Sequence, residues 1–559
     1  MQCAISSFIF FLYKPHLVDG GLSILQYADD TIMLMEDDLE EAKNLKLMLG
    51  VFESLSGLKI NFHKSELFCF GLAKEKTNEY VQLFGCKEGE WPFKFLGIPM
   101  SPSKLNKADW GDLETRFQKK LSSWKGKLLS VGGRLVLINS VMTNLPMYML
   151  SFFKIPKGIL KRVDYYRSRF FWQCDEHKKK YRLAKWSVLS KPKCVGGMWI
   201  INLEVQNKCL LGKWGFKLLN EEGTWQKLIR RKYLRDKPLA QVSKKPGESQ
   251  FWAGLLEIKD KVIERGRFNL QNGHQARFWE DVWIGGETLM STFPSLYQIV
   301  RRKHMTVARV LESCPLNVSF RRSLVGERLV KWRELVRMVS SVRLSEQEDK
   351  FEWNLTKSRC FTVKSMYNDV ILKDAVKDKW FMWRLRLPLK IKIFLWYLKT
   401  GVILTKDNLS KRKWKGSLMC CFCDSLESIQ HLFFECSIAR LCWRVFQSSF
   451  NLKPPGNFAE LFGNWFKNLH SKQKYQIMVG VSALLWALWL TRNDVVFKRT
   501  NSNYPLQVIF RATYWCKWWA KLAKEEEAVI LMWGCKILEE AALEVFTKFG
   551  WSIQRRIQA

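Results

Sequence analysis

Two adjacent aspartates, Asp29 and Asp30, lie between two short runs of strand-forming residues at 24–27 and 31–35. Successive side chains on a flat strand point to opposite faces, so neighbouring aspartates reach one site only where the chain bends. The pattern therefore predicts a hairpin with both carboxylates at its tip. Carboxylate oxygens suit Mg²⁺ or Mn²⁺, and two such ions about 3.5–4 Å apart support phosphoryl transfer. A solvated acidic turn is the alternative.

A predicted helix and two further segments follow the hairpin. Asp37 and Asp38 suit the N-terminal cap of this helix, Gly57 suits its end, and apolar residues recur at helical spacing at Ala42, Leu45, Leu49 and Phe52. The sequence continues with Gly57-Leu58-Lys59-Ile60-Asn61-Phe62-His63-Lys64-Ser65 and, after a gap, Phe95-Leu96-Gly97-Ile98-Pro99.

Together with Tyr27-Ala28-Asp29-Asp30, these segments resemble the last palm motifs and the primer-grip strand of plant non-LTR (LINE-type) retrotransposon reverse transcriptases. The resemblance implies that Asp29 holds catalytic magnesium with support from Asp30. It also implies that Lys64 protonates the pyrophosphate leaving group. The primer would be positioned by Leu96, Gly97, Ile98 and Pro99.

The same resemblance implies an upstream strand with a further metal-binding aspartate and a helix that positions the incoming nucleotide. Neither fits into residues 1–24. Because the metals supply both nucleophile activation and charge stabilisation, a site without a principal ligand is expected to lose most of its chemistry. Mg²⁺ or Mn²⁺ is therefore expected only if another chain supplies the missing palm segment.

A second group of metal-ligating residues has the spacing Cys-x2-Cys-x7-His-x4-Cys, formed by Cys420, Cys423, His431 and Cys436. The two-residue gap lets both thiolates of a tight turn face one ion, and the last two ligands complete a tetrahedron from a following helix, across about one turn. Four such ligands leave no open position, which predicts a structural Zn²⁺ site. Cys421 is an alternative ligand to Cys420, and reduced cysteines beside a core histidine are the alternative to a metal site.

The cysteine cluster, with residues 380–384 and 388–396 ahead of it, also resembles the zinc-binding domain that follows the polymerase in plant LINE elements. Immediately before the predicted turn, the stretch of residues 411–415 combines four basic residues with Trp414. Because phosphates pair with Lys and Arg and bases stack on aromatic rings, this stretch predicts contact with RNA or DNA.

The charge of the chain points to the same partner. Its 559 residues include 91 Lys and Arg against 53 Asp and Glu, a net charge of +38 spread over the sequence. Such a balance favours a polyanion, here RNA or DNA. No segment reaches the roughly 18–20 apolar residues of a membrane span, residues 477–490 predict a buried helix, and no signal peptide is predicted, so we expect no membrane partner. Fifteen cysteines, mostly isolated, suit a nuclear or cytoplasmic compartment.

Other stretches carry weaker signals. A helical stripe of Trp110, Leu113, Phe117, Leu121 and Trp124 predicts core. Residues 165–180 mix aromatic and basic side chains, typical of either a nucleic-acid channel or an aromatic core. The cluster at residues 301–304 predicts a solvated face. Residues 491–497 resemble a segment that often leads into a ribonuclease H domain, but the acids near the C-terminus follow a helical pattern, so no RNA cleavage is expected.

These patterns predict an α+β, predominantly helical chain. Its expected parts are an incomplete polymerase palm with a small antiparallel sheet (1–105), a thumb- or connection-like helical region (106–235), a linker of short strands and helices (236–370), a zinc-binding domain (371–445) and a C-terminal helical region (446–559). The predicted function is a nucleic-acid-binding fragment of an RNA-directed DNA polymerase that is inactive alone. The alternatives are a non-catalytic zinc-dependent binding protein and a relic of a truncated element.

Overall fold

The computed structural model describes residues 4–11, 23–123, 128–172, 181–235, 237–373, 381–463, 465, 469–498 and 505–558. The chain divides into two compact units. Unit 1 contains Met1–Arg116, Leu145–Val163 and Asn202–Lys373, and unit 2 contains Phe117–Asn144, Asp164–Ile201 and Asp374–Ala559. Each unit therefore draws on three separate stretches of the sequence. The five predicted segments stay a prediction.

The N-terminal part of unit 1 is a six-stranded sheet with two helices. Its elements are β1 (Ala4–Phe11), β2 (Ile24–Tyr27), β3 (Asp30–Met35), α1 (Leu39–Ser56), β4 (Lys59–Ile60), β5 (Glu66–Cys69), α2 (Thr77–Phe84) and β6 (Lys87–Glu88). The strand order is β2-β3-β1-β5-β6, and β4 pairs with β1. Only β2 and β3 pair antiparallel; the other pairs are parallel.

The predicted antiparallel sheet is therefore wrong in detail, because this sheet is mixed. The cause lies in the connections: α1 joins β3 to β4, and α2 joins β5 to β6. Helical crossovers of this kind return the chain to the same end of the sheet, so the strands before and after the helix run in the same direction. A hairpin turn, by contrast, joins β2 directly to β3.

Helix α1 begins and ends where the sequence predicts. The carboxylate of Asp38 accepts hydrogen bonds from two first-turn N–H groups, and Gly57 ends the helix at φ 70°, a left-handed conformation that glycine adopts without steric cost. Ala42 and Leu49 are buried against the sheet, whereas Phe52 is 42% exposed. The buried face of α1 therefore includes only part of the predicted apolar stripe and leaves out its last residue, Phe52.

The remaining strands form two small antiparallel sheets, β7 (Phe93–Phe95) with β8 (Ile98–Met100) and β9 (Gly266–Asn269) with β10 (Lys350–Trp353). The remaining helices, in chain order, are α3 (Gly111–Ser123), α4 (Val131–Leu137), α5 (Met147–Phe152), α6 (Lys157–Trp172), α7 (Trp186–Leu189), α8 (Leu203–Asn220), α9 (Thr224–Ile229), α10 (Gln250–Leu256), α11 (Lys259–Ile263), α12 (Leu289–Thr292), α13 (Pro294–Tyr297), α14 (Val307–Leu311), α15 (Glu327–Val339), α16 (Val363–Leu372), α17 (Leu389–Lys399), α18 (Lys406–Ser410), α19 (Ser437–Phe450), α20 (Phe458–Phe462), α21 (Ser471–Lys498), α22 (Pro505–Ala520) and α23 (Glu525–Gln558). The predominantly helical α+β fold is thus confirmed.

Much of the predicted core is buried. Trp110, Leu113 and Phe117 are almost completely inaccessible, while Trp124 lies outside the described residues. In the aromatic and basic stretch, the side chains of Arg167, Phe170, Phe171 and Trp172 are buried, which favours the core interpretation for these four. Its lysines at 178–180 lie outside the described residues.

The C-terminal part of unit 2 packs three long helices, α21, α22 and α23, against one another. The predicted buried segment lies within α21, where Leu484, Leu485, Ala487 and Leu488 are almost inaccessible. Among the described helices, none is both long and apolar enough to cross a membrane.

Candidate metal centre

The four predicted zinc ligands come together on a tight turn and the helical turn that follows it. Met419 and Leu426 form an antiparallel bridge, and the N–H of Cys420 donates to the carbonyl of Ser425 at 2.7 Å. This closed turn presents the first two cysteines. The ligand atoms of all four predicted residues lie within 4.8 Å of one another.

These separations fit a single tetrahedral Zn²⁺. Zn–S bonds near 2.3 Å and Zn–N bonds near 2.0–2.1 Å place the ligand atoms of a tetrahedral site roughly 3.5–3.8 Å apart. The Sγ of Cys423 lies 3.2 Å from Nε2 of His431 and 4.0 Å from Sγ of Cys436. The donor set therefore needs only small adjustments to enclose the ion. Because it has four protein ligands, the site suits a structural role.

A π-helical turn explains the spacing of the last two ligands. Residues His431–Glu435 form this turn, and the N–H of Cys436 donates to the carbonyl of His431 at 2.7 Å. An α-helix repeats every 3.6 residues, so side chains five positions apart would diverge on it. The wider turn returns residue 436 to the face of residue 431, and such single π turns are frequent at functional sites.

The cluster is largely shielded from solvent. Cys420, His431 and Cys436 are buried, and Cys423 is half-buried. Hydrogen bonds from the thiols of Cys421 and Cys436 lower the pKa of Cys420, whereas donation to Cys420 and burial raise the pKa of Cys436. Cys421 is not one of the four converging residues, so the geometry favours Cys420 as the ligand.

Sequence reasoning missed a buried ion pair beside this turn. The guanidinium of Arg492 on α21 donates to both carboxylate oxygens of Glu427, at 2.6 and 3.2 Å, and both side chains are almost inaccessible. Glu427 also accepts the backbone N–H of Lys406 at 3.0 Å. The pair therefore connects the metal-binding turn to α21. The available signal was an arginine two residues after the apolar run at 477–490 and on the same helix, because charged side chains are rarely buried unless paired.

The basic stretch before the turn has an anchored part and an exposed part. Arg412 donates to the carbonyls of Arg182 and Leu183 at 3.0 and 3.3 Å, which fixes the chain at this point. Lys413 and Lys415 are exposed. Trp414 between them is 37% exposed, so one cation on each side flanks an accessible aromatic ring.

The aspartate pair has the predicted hairpin geometry. Tyr27 and Asp30 form the last pair of β2 and β3, which leaves Ala28 and Asp29 as a two-residue turn. Asp29 is exposed and Asp30 is half-buried. Among the described strands, β1 also pairs with β3, and Ser6 lies opposite Asp30. Because β1 contains no acidic residue, this register adds no third carboxylate.

The other predicted polymerase residues lie on turns and a hairpin. Lys64 is exposed in a turn before β5, and in the described part of the chain no hydrogen bond or ion pair joins it to either aspartate. Leu96 and Gly97 form a two-residue turn with φ of 50° and 76°, the paired positive values of a type I′ hairpin. Ile98 and Pro99 are buried on β8. Their roles stay predictions.

Comparisons with known proteins agree with the metal-binding geometry. Residues 361–443 match the family described as zinc-binding in reverse transcriptase. A ribonuclease H protein of Arabidopsis thaliana is 25% identical over 363 residues, which cover 62% of this chain and 57% of that protein. An uncharacterized mitochondrial protein of the same plant is 27% identical over 147 residues, 26% of this chain and 95% of that protein. The chain thus spans little more than half of the first relative.

Proposed function

From the premise that this chain is the C-terminal region of a plant retroelement reverse transcriptase, we propose that it is a zinc-stabilised nucleic-acid-binding protein of the LINE type. The observation that carries the proposal is the convergence of Cys420, Cys423, His431 and Cys436 within a reverse-transcriptase zinc-binding domain. Zinc holds the turn together. The exposed side chains of Lys413, Trp414 and Lys415, which precede this turn, contact the nucleic-acid strand.

The chemistry of this surface suits RNA or DNA. Lys413 and Lys415 can each neutralise a phosphate and release its counterions, and Trp414 offers a face on which a base stacks. The anchoring of Arg412 to two carbonyls reduces the freedom that this segment loses on binding. Recognition through phosphates and one aromatic ring predicts weak dependence on sequence and strong dependence on salt.

Replacing the two exposed lysines tests this surface. We expect Lys413→Gln/Lys415→Gln to weaken binding of a single-stranded RNA and to reduce the slope of log affinity against log salt by roughly 1.4, since each phosphate contact contributes about 0.7. Trp414→Ala should cost about 1–3 kcal/mol of binding free energy through lost stacking. Fluorescence anisotropy at several salt concentrations measures both effects.

Lys453→Gln/Lys472→Gln is the matched control, because both lysines are exposed in unit 2 and the change in net charge is equal. This control should retain nearly normal affinity and slope. An equal loss in the two double variants would mean that general charge, not this surface, governs binding. Affinity that does not change with salt would contradict the proposal itself.

We further propose that the chain alone does not transfer nucleotides. Asp29 and Asp30 supply two carboxylates, and the strand beside them places Ser6 at the level of Asp30. A two-metal site needs further ligands to hold both ions in line with the reacting oxygens. A second chain carrying the upstream palm strand is the partner that would complete the site.

Ribonuclease activity, named for the longer relative, is proposed not to extend to this chain. The acidic residues near the C-terminus lie on α23, and two of them form ion pairs with partly buried partners. Glu539 pairs with Lys517 at 2.9 Å, and Glu527 pairs with Arg386 at 3.2 Å. Carboxylates that pair with cations along one helix do not form the clustered site that two divalent ions require.

One assay tests both the proposed lack of nucleotide transfer and the proposed lack of RNA cleavage. The chain is incubated with Mg²⁺, nucleotides and a primer on an RNA template, and both strands are examined on a denaturing gel. We expect neither primer extension nor template cleavage. Extension that disappears in Asp29→Asn would contradict the first inference and establish the polymerase. Cleavage of hybridised template that persists in Asp29→Asn would contradict the second.

A further inference from the structure

Unit 1 contains a cavity of about 1040 Å³ whose lining is strongly basic. It is formed by three separate stretches, at residues 230–241, 272–275 and 301–309, together with neighbouring side chains. Seven lining residues are Arg or Lys and two are His, whereas Glu348 is the one acidic residue among the described lining. So large an excess of positive charge in a concave site raises the local electrostatic potential, which attracts an anion.

One wall of this cavity, the stretch at residues 271–275, is held by a buried carboxylate. Asp349 is 2% exposed and accepts the backbone N–H groups of Gln271, Gly273 and Gln275 at 2.7, 2.9 and 3.0 Å. Gly273 has φ of 71°, and its carbonyl accepts the N–H of Ala308 at 2.9 Å, which joins the second stretch to the third. These hydrogen bonds hold residues 271–275 in place without a ligand.

Several of the cations have no acid to neutralise them. Among the described residues, Arg235, Arg302 and Arg309 form no ion pair, and all three are exposed. The guanidinium of Arg230 lies 3.6 Å from a carboxylate oxygen of Glu348, so the acid of the lining already has an ion-pair partner. Like charges gathered without partners repel one another, which favours an anionic ligand that relieves the repulsion.

The backbone at Arg235 supports a functional reading of this wall. Its φ of 53° is unusual for a residue other than glycine, and it follows the π-helical turn Arg230–Leu234, whose carbonyl at Arg230 accepts the N–H of Arg235 at 2.7 Å. Backbone strain of this kind is concentrated at binding sites.

We propose that this cavity binds the phosphate groups of a single nucleic-acid strand. Its volume lies at the upper limit of the roughly 300–1,000 Å³ of small-molecule pockets, which suits a segment of a strand better than one phosphate. The described lining includes no Phe, Tyr or Trp, so bases have no ring on which to stack. The site therefore reads the backbone and not the base sequence, and it is separate from the zinc-binding domain.

The full chain carrying Arg235→Gln/Arg302→Gln/Arg309→Gln tests the proposal by fluorescence anisotropy with a uridine oligonucleotide. Loss of three phosphate contacts should reduce the salt slope by roughly 2 and weaken binding roughly tenfold to fiftyfold near 150 mM salt. An abasic strand of equal length should show the same loss. Arg322→Gln/Arg333→Gln/Arg337→Gln is the control, since these exposed arginines of unit 1 lie outside the cavity.

The outcomes separate this site from the lysine and tryptophan surface. In the Lys413→Gln/Lys415→Gln background, the cavity variant should still lower affinity and slope, and loss of this additional effect would overturn the proposal. Equal losses in the cavity and control variants would also overturn it. Cavity-dependent binding of ATP that competes at micromolar concentration would assign the site to a free nucleotide and overturn the strand. Thermal unfolding monitored by circular dichroism must match between the two triple variants.

Discussion

Replacing Cys436 by serine is expected to abolish zinc binding and to unfold the region around residues 418–436. The Cys436 side chain is 1% exposed and is one of four converging ligands. Structural zinc contributes about 10–16 kcal/mol in isolated zinc-finger peptides, which equals or exceeds the 5–15 kcal/mol stability of a typical domain. Metal analysis should fall from about one zinc per chain to less than about half, and limited proteolysis should cut within this region.

The neighbouring cysteine provides the control for this experiment. Cys421 adjoins a ligand in sequence but lies outside the converging group, so Cys421→Ser should retain zinc and protease resistance. Cys420→Ser should behave like Cys436→Ser. Retention of zinc by Cys420→Ser together with its loss from Cys421→Ser would show that the ligands are assigned wrongly. Retention by all three variants would rule out the four-ligand site.

Features set by short-range patterns were predictable from the sequence. The hairpin at Asp29, the caps at Asp38 and Gly57 and the cysteine turn each depend on residues within one local segment. Their geometry follows from turn and cap chemistry, which the residue types specify directly. The buried segment of α21 was also predictable, because a long apolar run has few other stable environments.

Features set by contacts between distant residues were not predictable in this way. The parallel pairing of β1 with β3 depends on the choice of neighbouring strand, which hydrophobic pattern does not specify. The sequence predicts a solvated face at residues 301–304, and Arg301, Arg302 and His304 are exposed, but it does not indicate that all four line one cavity with residues from near 230 and 272. Local composition identified their charge but not their partners.

The same limit applies to the site itself. Spacing identified the four zinc ligands, since a turn and a helix suffice to bring them together. It did not identify the π-helical turn between His431 and Cys436, because the hydrogen-bond register of a single turn depends on its packing. Nor did it identify Glu427 as the partner of Arg492, which lies 65 residues further along the chain.

Breaking the Glu427–Arg492 pair is expected to have the second large effect on stability. Arg492→Met leaves the Glu427 carboxylate buried beside the metal-binding turn without its bidentate donor. Removing one partner of a buried ion pair typically costs about 3–5 kcal/mol, because the remaining charge is uncompensated. We expect a loss of this size in the free energy of unfolding of the zinc-binding domain, followed by zinc release during urea denaturation.

A double variant and a surface pair make this experiment specific. Glu427→Gln/Arg492→Met removes both charges, so it should recover part of the stability, and the double-mutant cycle gives the coupling energy. The pair between Arg511 and Asp494, at 2.6 Å, has partly exposed side chains in the same unit. Arg511→Met should therefore cost about 1 kcal/mol or less. A similar cost for Arg492→Met and Arg511→Met would mean that burial of the first pair does not stabilise the metal-binding turn.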